Sequence, residues 1–351
     1  MPGTLGHYKL LNLVGSGRMG ELYRARDMRA GRTVAVRVVA DNIHDNPGTR
    51  ERFLKDARAT AALSHPNIAA LYEIGDDGGH LFLVSEFVPG DTLNTVIAGR
   101  PLNPRHALDY GIQLADALAE GHAAGMVCHD LRPANVIVTP KGTAKLLDFG
   151  LAKWTSSEAE RSGFYMSPEQ LAGAPLDQRT DIFSLGIVLF EMLTGRVPFT
   201  APGANAVVKQ IQQIPMPAPS TVNRTLAAAL DPVVLKMLAR DAGQRSDMAA
   251  VVAADLRALV VALDSGGLVA NSSTGARPAN ADRQLRAVRV RPTLRRSVFW
   301  IRIILVAAAV AAVILLLASG VGERWWSSLL RTWRQSGRGV QMFGSSLDRS
   351  A

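Results

Sequence analysis

Asp130 and Asn135 stand five residues apart in Asp130-Leu131-Arg132-Pro133-Ala134-Asn135, and a second carboxylate, Asp148, directly precedes Phe149-Gly150. A carboxylate, an amide and a further carboxylate in this order suit one task. They can place a hydroxyl nucleophile and two magnesium ions around a nucleotide's terminal phosphate. Upstream, Gly15-Ser16-Gly17-Arg18-Met19-Gly20 can let backbone N–H groups approach phosphates without Cβ clashes. Alone, Gly-x-Gly-x-x-Gly is weak, because dinucleotide-binding folds carry it too. There a helix follows the loop, whereas here the pattern that follows reads as a strand. Ser167-Pro168-Glu169 downstream completes an ordered series that chance would not readily supply.

These residues need elements to hold them. Residues 8–14 and 21–26 flank the glycine loop and read as a hairpin, with Val34 to Val39 as the next strand. Residues 48–63 carry Phe53, Leu54, Ala57, Ala61 and Leu63 at helical spacing, and two more strands are expected near 70–75 and 81–86. After Gly90 the pattern turns helical. Leu108, Ile112, Ala115 and Leu118 mark one apolar face, and Ile182, Leu185, Leu189 and Leu193 another.

In motif order and in phrases such as Met19-Gly20-Glu21-Leu22-Tyr23 and Tyr165-Met166-Ser167-Pro168-Glu169-Gln170, the chain resembles the eukaryotic-like (Hanks-type) serine/threonine protein kinases of bacteria over roughly residues 8–262. The resemblance implies an α+β, two-lobed fold with a β-rich N-lobe and a helical C-lobe over residues 8–264. It implies ATP and Mg2+ as cofactors. Val14, Leu22 and Ala35 would cover the adenine, Ile137 would lie beneath it, and backbone groups of Glu86 and Val88 would meet its edge, with Ser85 as gatekeeper. Gly15, Ser16, Gly17 and Gly20 would cradle the phosphates. Asp130 would be the catalytic base, Arg132 would neutralise the γ-phosphate, and Asn135 and Asp148 would hold metal. Glu169 with Arg245, and Asp181 bracing the catalytic loop, support the fold rather than the chemistry.

Three positions depart from the family pattern. Arg37 stands for the strand lysine that bridges phosphates to a helix carboxylate, Asp56 for that carboxylate, and Cys128-His129-Asp130 for His-Arg-Asp. Arg for Lys is not conservative at such a site. A longer cation facing a shorter anion conserves the reach, so one reading is a remodelled Arg37–Asp56 ion pair; the other is independent drift in an Arg-rich chain. Imidazole grips phosphate poorly, so His129 argues against activation-loop phosphorylation as the main switch. Cys128, as a small hydrophobe, can fill the space of the missing histidine. Ser162 keeps the hydroxyl of the family's loop threonine. Arg132 replaces a lysine and retains the charge.

The formal net charge of +9 resides in one place. Residues 1–264 hold 26 Lys+Arg against 27 Asp+Glu, and residues 265–351 hold 13 Arg against 3 acids. A near-neutral globular part with a basic tail beside an apolar run excludes nucleic acid as the favoured partner and points to a bilayer. Residues 265–297 read as a basic, disordered linker. Residues 298–318, interrupted only by Arg302, reach the ~20 residues that a spanning helix needs. Six Arg lie before this run (283, 286, 289, 291, 295, 296) and three just after it (324, 331, 334), which places the kinase domain on the cytoplasmic side of a single-pass inner membrane protein. Residues 319–351 read as a short exported tail with a Trp-rich amphipathic helix. The N-terminus has no signal-peptide pattern, and the single cysteine excludes an intrachain disulfide.

The expected function is transfer of the ATP γ-phosphate to Ser/Thr hydroxyls of protein substrates in membrane-linked signalling. The alternative is a membrane-tethered pseudokinase that binds nucleotide or scaffolds, favoured by Arg37, Asp56 and His129. Homodimerisation is left open.

Overall fold

Alternation along one strand explains how the cleft is furnished. In β4 (Thr33–Val39) Val34, Val36 and Val38 are buried on one sheet face, so Ala35 and Arg37 point to the other. Register extends that second face across the sheet: Leu22 opposes Arg37, Arg37 opposes Leu83, and Ala35 opposes Ser85. The computed structural model describes residues 3–155, 163–199, 206, 209–211 and 214–265.

The N-lobe sheet has six antiparallel strands, β1 (Thr4–Leu5), β2 (Tyr8–Gly17), β3 (Gly20–Asp27), β4, β5 (Leu71–Asp77) and β6 (His80–Glu86), in the order β1-β2-β3-β4-β6-β5. The hairpin is longer than its hydrophobic pattern predicts. Pairing continues through the glycine loop to Gly17 opposite Gly20. Gly20 has φ +120°, and a Cβ there would lie 1.8 Å from the Val38 carbonyl oxygen, so only glycine fits. Helix α1 (Asp41–His44) leads into α2 (Pro47–Ala61), which starts where the Asn46 side chain accepts from the Thr49 N–H and Pro47 sits in the first turn. Its buried stripe is Phe53, Ala57 and Thr60. The expected helix overran its end: Ala61 is exposed, and Leu63 packs from beyond the last turn.

The C-lobe is built on α7 (Arg179–Thr194), apolar nearly all round as a helix inside a core must be. It ends at Gly195, which takes the left-handed conformation with φ 77°. Helix α4 (Pro104–Ala123) packs on it through Leu108, Ala115 and Leu118. Before α4, the chain makes β7 (Asp91–Thr92) and α3 (Leu93–Ile97). After it come β8 (Val136–Val138) and β9 (Ala144–Leu146), and β7, β8 and β9 form a small sheet the periodicity did not reveal. Further helices among the described residues are α5 (Ala152–Thr155), α6 (Pro168–Leu171), α8 (Pro219–Val222), α9 (Asp231–Met237) and α10 (Ala249–Asp264). Arg257 bonds Asp116 at 2.6 Å, clasping α10 to α4.

Among the described residues no helix is long and apolar enough to cross a membrane. The expected linker (beyond Ser265), spanning helix 298–318 and tail 319–351, and Ser162, lie outside the described residues.

Candidate active site

The floor of the site is held from below by one buried carboxylate. Asp181, in the first turn of α7, accepts from the backbone N–H of Cys128 at 2.8 Å and of His129 at 2.9 Å, and lies 2.8 Å from His122 Nε2. Those bonds fix the loop that presents Asp130. His129 has φ 65°, uncommon outside glycine, and its carbonyl accepts from Gln170 Nε2 at 2.9 Å. Cys128 is fully enclosed in the C-lobe core, and burial, then the nearby Asp181 charge, push its thiol well above the usual range. It is a packing residue, as its size predicted.

Asp130, Asn135 and Arg132 come together. Asn135 Nδ2 donates to the Asp130 carbonyl at 2.9 Å and to Asp130 Oδ2 at 3.0 Å, and Arg132 Nε lies 3.6 Å from Asp130 Oδ1. The 3-10 turn Pro133–Asn135 produces this closeness, and Leu147 N–H donates to the Asn135 carbonyl at 2.9 Å, drawing the next segment alongside. Asp148 follows with φ 50°, and the Phe149 ring is buried against Gly121, where a Cβ would lie 2.0 Å from it.

Above this floor a cleft of about 140 Å³ is lined by residues that include Val14, Leu22, Ala35, Arg37, Ser85, Glu86, Val88, Ile137 and Asp148. Every side chain expected around an adenine is there. Gly15, Ser16, Gly17 and Gly20 lie in the β2–β3 hairpin without lining the cleft, and neither do Asp130, Arg132 and Asn135. Glu86 is paired with Lys145 at 2.8 Å, and its N–H donates to the Ala70 carbonyl.

The remodelled Arg37–Asp56 pair is not formed. Arg37 Nη2 instead bonds Asp148 Oδ2 at 2.8 Å. Asp56 Oδ2 accepts from Trp154 Nε1 at 2.8 Å, and the Trp154 ring stands edge-on to Phe53 with centroids 5.3 Å apart. The reason is local. Helix α5 begins two residues after Gly150 and brings the Trp154 indole N–H to Asp56. Sequence reasoning missed Trp154, and it missed Thr60, which lines the cleft and donates to the Phe149 carbonyl at 2.9 Å. A hydroxyl on the i, i+4, i+7 stripe Phe53-Ala57-Thr60 was the available signal.

Glu169 and Arg245 form the expected buried pair, doubly bonded at 2.6 and 2.9 Å, with the guanidinium 4.9 Å over the Phe183 ring. Burial raises the Glu169 pKa, but the Arg245 bonds, its own backbone N–H, the Arg245 charge and the Thr180 hydroxyl together outweigh it and hold the carboxyl below its ordinary value.

Two lobes, a hairpin of glycines above a cleft, and a braced Asp–Asn loop below it define a class. The protein kinase domain family matches residues 8–256, and the chain belongs to it. It is 37% identical over 270 residues to the serine/threonine-protein kinase PknA of Mycobacterium tuberculosis, covering 72% of this chain and 62% of that one. It is 34% identical over 261 residues to the serine/threonine-protein kinase PrkC of Bacillus subtilis, covering 72% of this chain and 40% of PrkC. The chain thus matches less than two thirds of the length of either. A crystal structure of the M. tuberculosis PknI kinase domain superposes with TM-score 0.59 at 25% identity, covering 72% of this chain and 95% of that one.

Proposed function

We infer that this chain is a serine/threonine protein kinase that uses ATP with a divalent cation. The observation that carries the reading is the hydrogen-bonded Asp130–Asn135 pair, set beside Asp148 by the Leu147–Asn135 backbone bond. Similarity to two chains named serine/threonine-protein kinases supports it. In this reading Asp130 orients a substrate hydroxyl and accepts its proton, with the Arg132 guanidinium, 3.6 Å from it, as fixed positive charge.

The donor set fits magnesium. Arg37 engages Oδ2 of Asp148 and leaves Oδ1 out of that bond, while Asn135 turns its amide nitrogen to Asp130 and so leaves its carbonyl oxygen for a cation. Oxygen donors of this kind suit a hard divalent ion. When bound, the metal supplies neutralisation of phosphate charge. Arg37, at the inner end of the cleft, adds a guanidinium that can reach the nucleotide's phosphates once it leaves Asp148.

The test is incorporation of labelled phosphate by the full chain with Mg-ATP. Slow autophosphorylation on Ser or Thr, lost in Asp130→Asn, is expected. No incorporation by folded protein would favour a second reading, a nucleotide-binding pseudokinase, which the Arg37–Asp148 pair supports because that pair ties up the metal carboxylate. The protein substrates belong to this proposal, as does homodimerisation, whose test is the mass of the solubilised chain. Anchoring by residues 298–318 with the kinase domain in the cytoplasm is also proposed, on the Arg excess before the apolar run. A reporter fused after Ala351 should then be active only outside the cytoplasm.

A further inference from the structure

Helix α2 touches the Asp148–Gly150 segment through one buried hydroxyl. Thr60 Oγ1 lies 2.9 Å from the Phe149 carbonyl oxygen and 3.1 Å from that of Asp56. A hydroxyl has one proton to donate. A helical threonine ordinarily donates it to the carbonyl four residues back, here Asp56. In this helix the shorter contact leaves the helix altogether. Thr60 is only 4% exposed, so neither it nor the Phe149 carbonyl has ready access to water as a substitute partner.

What the bond holds is an unusual stretch of backbone. Asp148 has φ 50° and Gly150 φ 73°, so Phe149 stands between two left-handed residues. Such a conformation persists when its surroundings impose it. The Phe149 ring is fixed from the C-lobe side by Gly121 on α4, and its carbonyl from the N-lobe side by Thr60 on α2. Remove the second hold, and the Phe149–Gly150 peptide keeps a buried acceptor without its donor. With the Phe149 ring held by Gly121, a shift of that carbonyl towards another partner is taken up along the backbone, at Gly150 on one side and through Phe149 at Asp148 on the other.

We propose that Thr60 is a positioning residue: by fixing the Phe149 carbonyl, its hydroxyl holds the Asp148 carboxylate where it can bind the cation of a metal–nucleotide complex. The proposal rests on the reading of Asp148 as a metal ligand.

The two substitutions that separate positioning from packing run in opposite directions. Thr60→Val keeps the volume and loses the proton; Thr60→Ser keeps the proton and loses a methyl. A packing role makes serine the worse of the two, a positioning role valine. The measurement is the affinity of the full chain for a fluorescent ATP analogue, in chelator and across a magnesium titration. Wild type should gain affinity with magnesium. Thr60→Val should lose about tenfold of the magnesium-dependent gain, read as the ratio of its own affinities with magnesium and in chelator, the worth of one buried hydrogen bond. Thr60→Ser should keep most of that gain. If valine prevents folding, Thr60→Ala, which also lacks the donor, should show the same selective loss. A full magnesium gain in Thr60→Val, or a loss in serine as large as in valine, overturns the proposal. A wild-type chain with no magnesium-dependent gain, unaltered by Asp148→Asn, overturns the metal reading and the proposal with it.

Discussion

The two sides of the cleft hold their charges differently. Below it, Asp181 is fully buried and accepts two backbone N–H groups and faces an imidazole, while Arg245 meets Glu169 twice and also donates to the carbonyls of Arg179, Ala239 and Arg240. Above it, Arg37 and Asp148 meet through a single pair of atoms, with side chains 16% and 33% exposed. A buried charge must have every donor and acceptor met, so its surroundings admit one arrangement. Asp148, a third exposed, has water as a fallback, so its bond to Arg37 is one arrangement among several. That is why the lower pairs are the ones expected from sequence and the upper one is not.

The largest effect that tests this contrast comes from removing Arg245. Its side chain is fully enclosed, and taking it away leaves Glu169 as an uncompensated, half-buried carboxylate. Arg245→Met should cost about 3–5 kcal/mol of unfolding free energy, whereas Arg37→Met should cost less than ~1 kcal/mol because water replaces the lost partner. Urea unfolding of the two variants measures both. Equal losses would mean that the two sides of the cleft are held alike.

The next effect sharpens the upper side. Partners in contact couple by roughly 0.5–3 kcal/mol in a double-mutant cycle, and residues that share none add to within about 0.5 kcal/mol. Arg37 with Asp148 should couple, and so should Asp56 with Trp154, using Trp154→Phe to keep the edge-on ring and delete the N–H. Arg37 with Asp56 should be additive. Clear coupling between those two would restore the remodelled pair.

How much of this could be read in advance follows the same division. The glycine hairpin and the Asp130–Asn135 loop with Phe149 after it announce themselves through type and spacing, because each answers a local demand, a backbone without Cβ or a five-residue reach; the Glu169–Arg245 pair is expected only through the family resemblance. The α2 boundary was misjudged because Ala61 and Leu63 fit an apolar stripe, although the helix turns out before Leu63. The partners of Arg37 and Asp56 were illegible for a different reason. Asp148 and Trp154 lie 111 and 98 residues further along the chain, and no spacing within β4 or α2 carries those positions. Thr60 was legible only as an oddity, a hydroxyl where the stripe calls for a methyl.

The smallest expected effect is one of sign. Two glutamates of the C-lobe have pKa values displaced in opposite directions. Glu191 is raised: burial disfavours its ionised form, and the bond from the Tyr165 hydroxyl at 2.6 Å only partly offsets that. Glu169 is lowered: burial raises it, but the Arg245 bonds and charge, with its own backbone N–H and the Thr180 hydroxyl, together outweigh that. A carboxyl depressed by folding releases its proton earlier in the folded chain than in the unfolded one. Its contribution is therefore present above the ordinary glutamate value, near pH 4.3, and fades as pH falls through the folded value. A raised carboxyl does the reverse: its contribution is present below about pH 4.3 and is lost as pH rises through the folded value. The stability difference between wild type and Glu169→Gln should thus grow as pH rises from the acid side into this window. The difference between wild type and Glu191→Gln should shrink as pH rises from there towards neutrality. Denaturant unfolding at a series of pH values reads both slopes, and two slopes of the same sign would mean that Arg245 does not dominate the surroundings of Glu169.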